Sequence, residues 1–440
     1  MRTEFLELAD HVDSALQLGE VATCWLSAED SDFVRLTQGR VRQPGSVSQR
    51  VLTLRLVRGK RHATMELSLA GVATEDRRRV DEALDILRQR LPLLPEDPFL
   101  LIDEQPHQVV GPDASALAPT RDLVNVLLDA AGGRDLVGIV ASGSVGRGYA
   151  SSHGARCWSE SASWSADYCL VHSTDRAVKD TAAGTVFSAD ALRSRVAKAA
   201  ARVEVLARPA RSITPGEYRA FLAPAAMREV FGLLSWGAFG GQSIHTGTSP
   251  LSRFRPGGER LDARVQLSED TAGGLAPSFQ ADGFLRPASL PLIEDGVLVG
   301  ALVSPRAGLE LGIPHNGASA DEQPDSLRLA PGDLPSTDTL KALGTGLWIS
   351  NLWYLNFSDR SACRMTGMTR FATFWVEDGE VVAPVPVMRF DDTVGRMLGD
   401  SLEALTDRAE LVPSVDTYFN RSTSSMRLPG ALLSGLRLTL

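Results

Sequence analysis

The chain has 440 residues, 43% of them apolar and 22% charged, with a net charge of −9 at neutral pH. That balance excludes a disordered chain, and the acidic surplus argues against a nucleic-acid partner, whose phosphates are held by clustered Lys and Arg. Four Cys without CxxC spacing suit a reducing compartment, no stretch reaches the apolar length of a membrane span, and the acidic amphipathic N-terminus has no leader core, so the expected location is cytoplasmic with no membrane partner.

The length favours two domains. The fold class expected is α+β: an N-terminal α+β domain with an antiparallel sheet over 1–208, then a mainly antiparallel β domain with a central helix over 209–440, divided at Pro209. Residues 3–19 carry apolar side chains at helical spacing. From Val21 to Leu69 the period falls to two, with Leu52, Leu54 and Leu56 on one face and Val51, Thr53, Arg55 and Val57 on the other, which predicts a sheet with one wet face. Thr74 reads as the N-cap of a helix that continues to Leu94, with a stripe of Val80, Ala83, Leu84 and Leu87. A surface connection over 93–119 leads to a second helix at Arg121–Ala130.

The stretch 136–173 reads as strands and hairpins, with Gly143, Gly146 and Gly148 as turn or close-approach residues. It lacks the GxGxxG pattern and the lysine of a phosphate loop. His153 and His172 near Cys157 and Cys169 invite a metal reading, although alternation along a strand makes isolated side chains the better one. Ser188–Ala207 is an alanine-rich helix, Tyr218–Leu222 a short strand, and Pro224 opens a helix that runs towards SWGAFGG. Asp295-Gly296 marks a hairpin; the long connection from Ser304 reads as a recognition loop. Residues 344–393 form the centre of the second half, two apolar runs flanking a polar loop from Ser358 to Arg370, with Asp378-Gly379 as a further tight turn. SLEALTDRAEL reads as a helix, and the C-terminal residues as a strand tied into a sheet.

NLWYLNFSDRSACRMTGMTRFATFWVEDGEVVAPVPVMRF resembles the C-terminal signature of the TldD/PmbA family, and LAPAAMREVFGLLSWGAFGGQSIHTGTSPL resembles its central helix. The resemblance implies a dimeric zinc metallopeptidase whose TldD-type chain carries HExxxH, with two His on zinc, Glu as base and a Cys near the C-terminus as a further ligand. Here the corresponding positions are Ser235, Trp236 and Gly240, and the closing segment VDTYFNRSTSSMRLPG has no Cys. The pattern therefore resembles the PmbA or TldE type, which implies a non-catalytic subunit, no cofactor in this chain, zinc in an HExxxH-bearing partner, and an unfolded or modified peptide as substrate. Asn351, Asp359, Arg360, Thr366, Thr369, Arg370 and His245 are the candidate peptide- or partner-contacting residues, with Trp236, Trp348, Trp353 and Trp375 as candidate interface aromatics. Two alternatives remain at this point. One is a homodimeric peptide-binding or maturation-assisting protein. The other is a self-sufficient hydrolase using Ser235, Ser243 or Cys363 with His245, although no GxSxG elbow is present. A zinc site assembled from His245, His315 and Cys363 would be a coincidental rescue.

Overall fold

The computed structural model describes residues 1–440 except 112–115, 174, 175, 416 and 418. In chain order the elements are α1 (Arg2–Ala15), β1 (Val21–Thr37), β2 (Arg40–Arg58), β3 (Arg61–Ser68), α2 (Ala73–Arg90), β4 (Gln108–Val110), α3 (Thr120–Ala131), β5 (Leu136–Ser151), β6 (Arg156–Ser173), β7 (Arg176–Gly184) and α4 (Ala189–Leu206). There follow β8 (Gly216–Leu222), α5 (Pro224–Ser235), α6 (Gly241–His245), β9 (Leu267–Glu269), β10 (Leu290–Glu294), β11 (Val297–Leu298), α7 (Pro305–Leu311), β12 (Ser326–Leu329) and α8 (Thr339–Leu343). The last group is β13 (Gly346–Asp359), β14 (Arg364–Glu377), β15 (Glu380–Pro384), β16 (Arg389–Thr393), β17 (Leu402–Leu405), β18 (Glu410–Pro413), β19 (Ser425–Leu428) and β20 (Ala431–Leu438). This is the expected α+β architecture, with an antiparallel sheet region first and a mixed, mostly antiparallel region with helices after it.

The first sheet runs β3-β2-β1-β5-β6-β4, with β7 also on β6. Its predicted alternation is seen directly: Leu52, Leu54 and Leu56 are buried against Phe5, Leu8 and Val12 of α1 and Val80, Leu84 and Leu87 of α2. Burying each leucine side chain contributes about 1.5–3 kcal/mol. The start of α2 differs from expectation, because Val72 is the cap residue and the Asp76 carboxylate accepts from Ala70 N–H (2.7 Å) and Gly71 N–H (2.9 Å), fixing the chain's entry in place of Thr74. Of the two roles expected for Gly143, Gly146 and Gly148, the turn fails and the close approach holds, since all three lie inside the continuous strand β5 against neighbouring atoms. Gly148 is required by packing: a Cβ there would sit 2.6 Å from the Phe5 ring.

The second sheet, β11-β10-β9-β12-β19-β18, contains one parallel pair, β12 with β19. The third follows β13-β8-β20-β16-β14, and the additional β13–β14 pairing closes these strands into a ring. Alternation sends Ala220, Leu222, Leu347, Ile349 and Leu433 to the core containing α5, and Phe221, Trp348, Phe374 and Leu432 to the core containing α3 and α4. That second core is shared with Val140, Trp164 and Tyr168 of the first sheet. Two further expectations fail. The SLEALTDRAEL segment forms β17 and β18 because Leu402 and Leu405 extend the sheet beside β20, and the connection after Ser304 contains α7, capped by Ser304 Oγ accepting from Ala307 N–H. No described helix is long and apolar enough to cross a membrane.

Candidate functional site

The positions matching the zinc motif do not share a helix. Buried Ala226, Met227, Val230, Phe231 and Leu234 seat α5, but it ends at Ser235, and Trp236 (ψ 72°) and Gly237 (φ +80°) turn the chain away before α6 begins at Gly241. Ser235 is buried and its hydroxyl donates back to Phe231 O at 2.8 Å, whereas the Trp236 side chain is 70% exposed. Gly240 lies against Glu322, whose Oε2 accepts from Gln242 N–H at 2.9 Å and whose Oε1 accepts from Ser304 N–H at 2.8 Å. A Cβ at 240 would approach Glu322 Oε2 to 3.1 Å and its Cβ to 3.2 Å, so an imidazole there requires Glu322 to move.

The other ligating or nucleophilic candidates are separately engaged. Ser243 Oγ donates to Gly237 O and Gly240 O, His315 packs edge-on against Phe284 with ring centroids 4.9 Å apart, and burial pushes the Cys363 thiol up to about 12. A thiol so shifted is a poor nucleophile and a poor ligand at neutral pH. His245 is the exposed last residue of α6. Cys157 is buried with its thiol raised to about 11, chiefly by burial. Among the described residues no group of three or more His, Cys, Asp or Glu side chains is placed to hold a metal.

The expected polar loop from Ser358 to Arg370 is mostly strand: β13 and β14 form a hairpin turned only over 360–363. Asn351 pairs with Arg370 in register, Leu352 with Thr369 and Asn356 with Thr366, with shifts on either side of Tyr354. Tyr354 (φ +56°) and Phe371 (φ +60°) occupy the left-handed region at these irregularities, which re-aim side chains off the regular pleat. Trp353 and Tyr354 consequently project outward, 45% and 73% exposed, and the Arg370 guanidinium lies 5.0 Å from the Trp353 ring. Asp359 accepts from Ser361 Oγ and Ala362 N–H, which hold its carboxyl below the usual range and shape the turn. Arg360 stacks over Phe357 and donates to Trp236 O (3.1 Å) and Thr248 O (3.2 Å), tying the hairpin tip to the turn after α5.

The predicted residues thus divide. Asp359, Arg360, Arg370 and His245 are exposed, while Asn351 and Thr369 are buried. Thr369 Oγ1 accepts from Met388 N–H, and Thr366 Oγ1 donates to Phe390 O, so both threonines brace neighbouring chain. Asn351 Oδ1 is buried without a partner. Trp348 and Trp375 are buried as well, leaving Trp236 and Trp353 as the surface aromatics of that set.

A second polar centre went unpredicted. Ser27, Glu29 and Ser31 of β1, Gly143 and Arg147 of β5 and Ser159, Ser161 and Ser163 of β6 share one face by register. A strap over 419–424 covers part of it. Asn420 Nδ2 donates to Ser27 Oγ, Arg421 N–H donates to Glu29 Oε2, and the Arg421 guanidinium donates to Ser31 Oγ, Gly143 O, Ser163 O and Ser163 Oγ at 2.8–3.3 Å. Burial pulls the Arg147 guanidinium down to about 10 and lowers Arg421 in the same direction, with Glu29 opposing both. The alternating serines of SESASWS and SAEDS are the sequence signal, since small hydroxyl residues at every second position mark one polar strand face.

Fold and site together define a class: a three-sheet α+β chain with a closed strand ring and a helix that ends at Ser235, within the stretch that resembles the family's central helix. Residues 215–440 match the family model described as the PmbA/TldA metallopeptidase C-terminal domain, and the chain belongs to the TldD/PmbA family. TldE from Thermococcus kodakarensis superposes with a TM-score of 0.78 at 14% identity, covering 99% of this chain and 100% of that one. A Thermotoga maritima protein described as a candidate modulator of DNA gyrase gives 0.77 at 13%, with 99% and 100% covered, and a Bacteroides thetaiotaomicron protein of the same description gives 0.74 at 14%, with 99% and 98% covered. At these identities the likeness is one of fold. No curated protein sequence matches the chain.

Proposed function

We propose that this chain is a TldE-like supporting subunit, which joins an HExxxH-bearing TldD-type chain and helps that partner cleave unfolded peptides or modified peptide precursors. The observation that carries the reading is the turn at 235–240, where the place of the second histidine is a glycine pressed against Glu322 and the helix that would align the ligands has already ended. Zinc and its activated water then belong to the partner. The 1–208 and 209–440 divisions are the units we assign as domains, and the cytoplasm is the compartment.

The exposed Trp353, Tyr354, Arg360, Arg370 and Trp236 surface is our candidate for partner or peptide contact, because aromatic and arginine side chains supply most of the energy in interfaces. His245 belongs to the same proposal as an exposed polar residue after the turn. The test is purification of this chain alone and with a co-expressed HExxxH chain of the family, with native mass, zinc content and cleavage of an unfolded peptide measured on both. The proposal expects a one-to-one complex whose zinc and chelator-sensitive cleavage follow the partner. Stoichiometric zinc with cleavage by this chain alone overturns it, and a stable homodimer indifferent to the partner replaces it with the maturation-assisting reading.

A further inference from the structure

The helix-bearing face of the first sheet changes character in its middle. Alternation along β1 sends Cys24, Leu26 and Ala28 into the core shared with α1 and α2, and Val34 and Leu36 into the core shared with α3 and α4. Between them the same face carries Asp30 and Asp32. Register places Ser48 and Ser144 on either side of Asp30, and Ser46 and Ser142 on either side of Asp32, so a polar row crosses three strands in the gap between the two helix pairs. An open trough of about 380 Å³ lies over this row, bounded on one side by the 117–120 segment that enters α3. That volume falls within the roughly 300–1,000 Å³ of small-molecule pockets.

The polar groups of the trough are fixed in place but not neutralised. Asp32 Oδ1 accepts from Ser46 Oγ at 2.6 Å and Oδ2 from Thr120 Oγ1 at 3.0 Å, so Asp32 also steadies the first turn of α3, where the helix dipole favours a carboxylate. Asp30 has no such use: Ser48 Oγ donates to its Oδ1, and its Oδ2 takes no hydrogen bond from a described residue. Ser142 is 4% exposed and lines the trough, and its hydroxyl is likewise without a partner among the described residues. A buried hydroxyl ordinarily finds one. No Lys, Arg or His lines the trough.

The geometry points to a receptor for an organic cation, a guanidinium or alkylammonium group, held by the Asp30 and Asp32 carboxylates with the Ser142 hydroxyl accepting a further hydrogen bond. Carboxylates only accept, so the guest must donate, and an anion is repelled. A bare metal ion does not suit the row: residues two apart on one strand stand about 6.6 Å apart, and no third ligating side chain joins these two among the described residues. A guanidinium has five donors and an ammonium three, enough to reach a carboxylate and a hydroxyl at once. Ser46, Ser48 and Thr120 hold the carboxylates before any guest arrives, which lowers the ordering cost of binding. The trough lies on the other face of the sheet from the Arg421 strap and apart from the hairpin surface proposed for partner contact, so it stands independently of that reading.

The test is calorimetric titration of the full-length protein with agmatine and with a short unstructured peptide carrying one arginine, beside the same peptide with neutral citrulline in its place. Saturable one-to-one binding is expected, absent with citrulline, weakened at least tenfold by Asp30→Asn and about threefold by Ser142→Ala. Glu66→Gln removes one charge from an exposed site on β3, away from the trough, and should leave the affinity unchanged, which separates the site from the general attraction of cations to an acidic chain. Binding of agmatine alone identifies a free small molecule as the source of the cation, and binding of the peptide alone identifies a basic side chain; either supports the receptor. The proposal is overturned if neither probe saturates by about 1 mM, if the citrulline peptide binds as well as the arginine one, or if Asp30→Asn weakens binding no more than Glu66→Gln. Should Asp30→Asn fail to fold, Ser142→Ala and the citrulline comparison decide.

Discussion

Arg421 is buried against neutral oxygens of the first sheet, whereas Arg370 lies in solvent over the Trp353 ring, and the two put the same side chain to different uses. The planar guanidinium has five donors, and Arg421 spends several of them on Ser31, Gly143 and Ser163, joining a strap from the second half of the sequence to strands of the first. Arg370 makes its ring contact where water competes, so little stability depends on it. Buried arginine here serves cohesion. Exposed arginine beside exposed aromatics is the surface proposed above for recognition.

Substitutions that separate the two uses should rank accordingly. Arg421→Ala leaves Ser163 and Gly143 oxygens buried beside an unoccupied space and should cost about 3 kcal/mol in urea unfolding; a loss below about 1 kcal/mol would erase the contrast. Gly240→His, which restores one ligand-type side chain, should cost about 2 kcal/mol through the displaced Glu322 and bring no zinc into the purified protein. Arg360→Ala releases Trp236 O and Thr248 O at the surface and should lower stability by about 1 kcal/mol, with faster amide exchange over 235–240 as the specific sign. Arg370→Ala should cost about 0.5–1 kcal/mol of folding stability. If the hairpin is the contact surface proposed above, Trp353→Ala weakens partner association at least tenfold in a binding titration while the subunit's own unfolding midpoint barely moves.

Much of the fold was legible because period and burial agree. The leucines of β2 and the stripe of α2 face one core, and Pro224 opens α5 as its fixed φ allows. Where the reading failed, a tertiary partner decided. SLEALTDRAEL has the apolar content of a helix, yet β20 offers Leu402 and Leu405 a sheet edge. The glycines of β5 look like turn residues until Phe5 is seen crossing above Gly148.

The candidate site was legible in part for a similar reason. A motif comparison locates 235, 236 and 240, but whether they lie on one helix depends on the break after Ser235, and Glu322 lies far along the sequence from the glycine it covers. The face of the first sheet expected to be wet is instead largely covered: Tyr149 and Cys157 pack with Trp25 against Phe279, and the strap supplies hydrogen bonds to its polar part. Alternation reports polarity and is silent about what supplies the hydrogen bonds. Thr366 and Thr369 sit among polar neighbours in the sequence, and only the folded chain brings their hydroxyls to Phe390 O and Met388 N–H.

The ring of strands in the second half also bears on how the molecule is made. The β13–β14 hairpin joins neighbours in sequence and can form early, but closure needs β8 to lie beside β13 and β20, which arises from a distant part of the chain. Contacts of such separation are slow to form because the loop entropy is lost before they are gained. Until β20 arrives, β8 lacks its partner on that side and the apolar faces of Phe221 and Trp348 lack Leu432. A refolding experiment should therefore show the first sheet protecting its amides ahead of the ring, with aggregation competing during the interval between them.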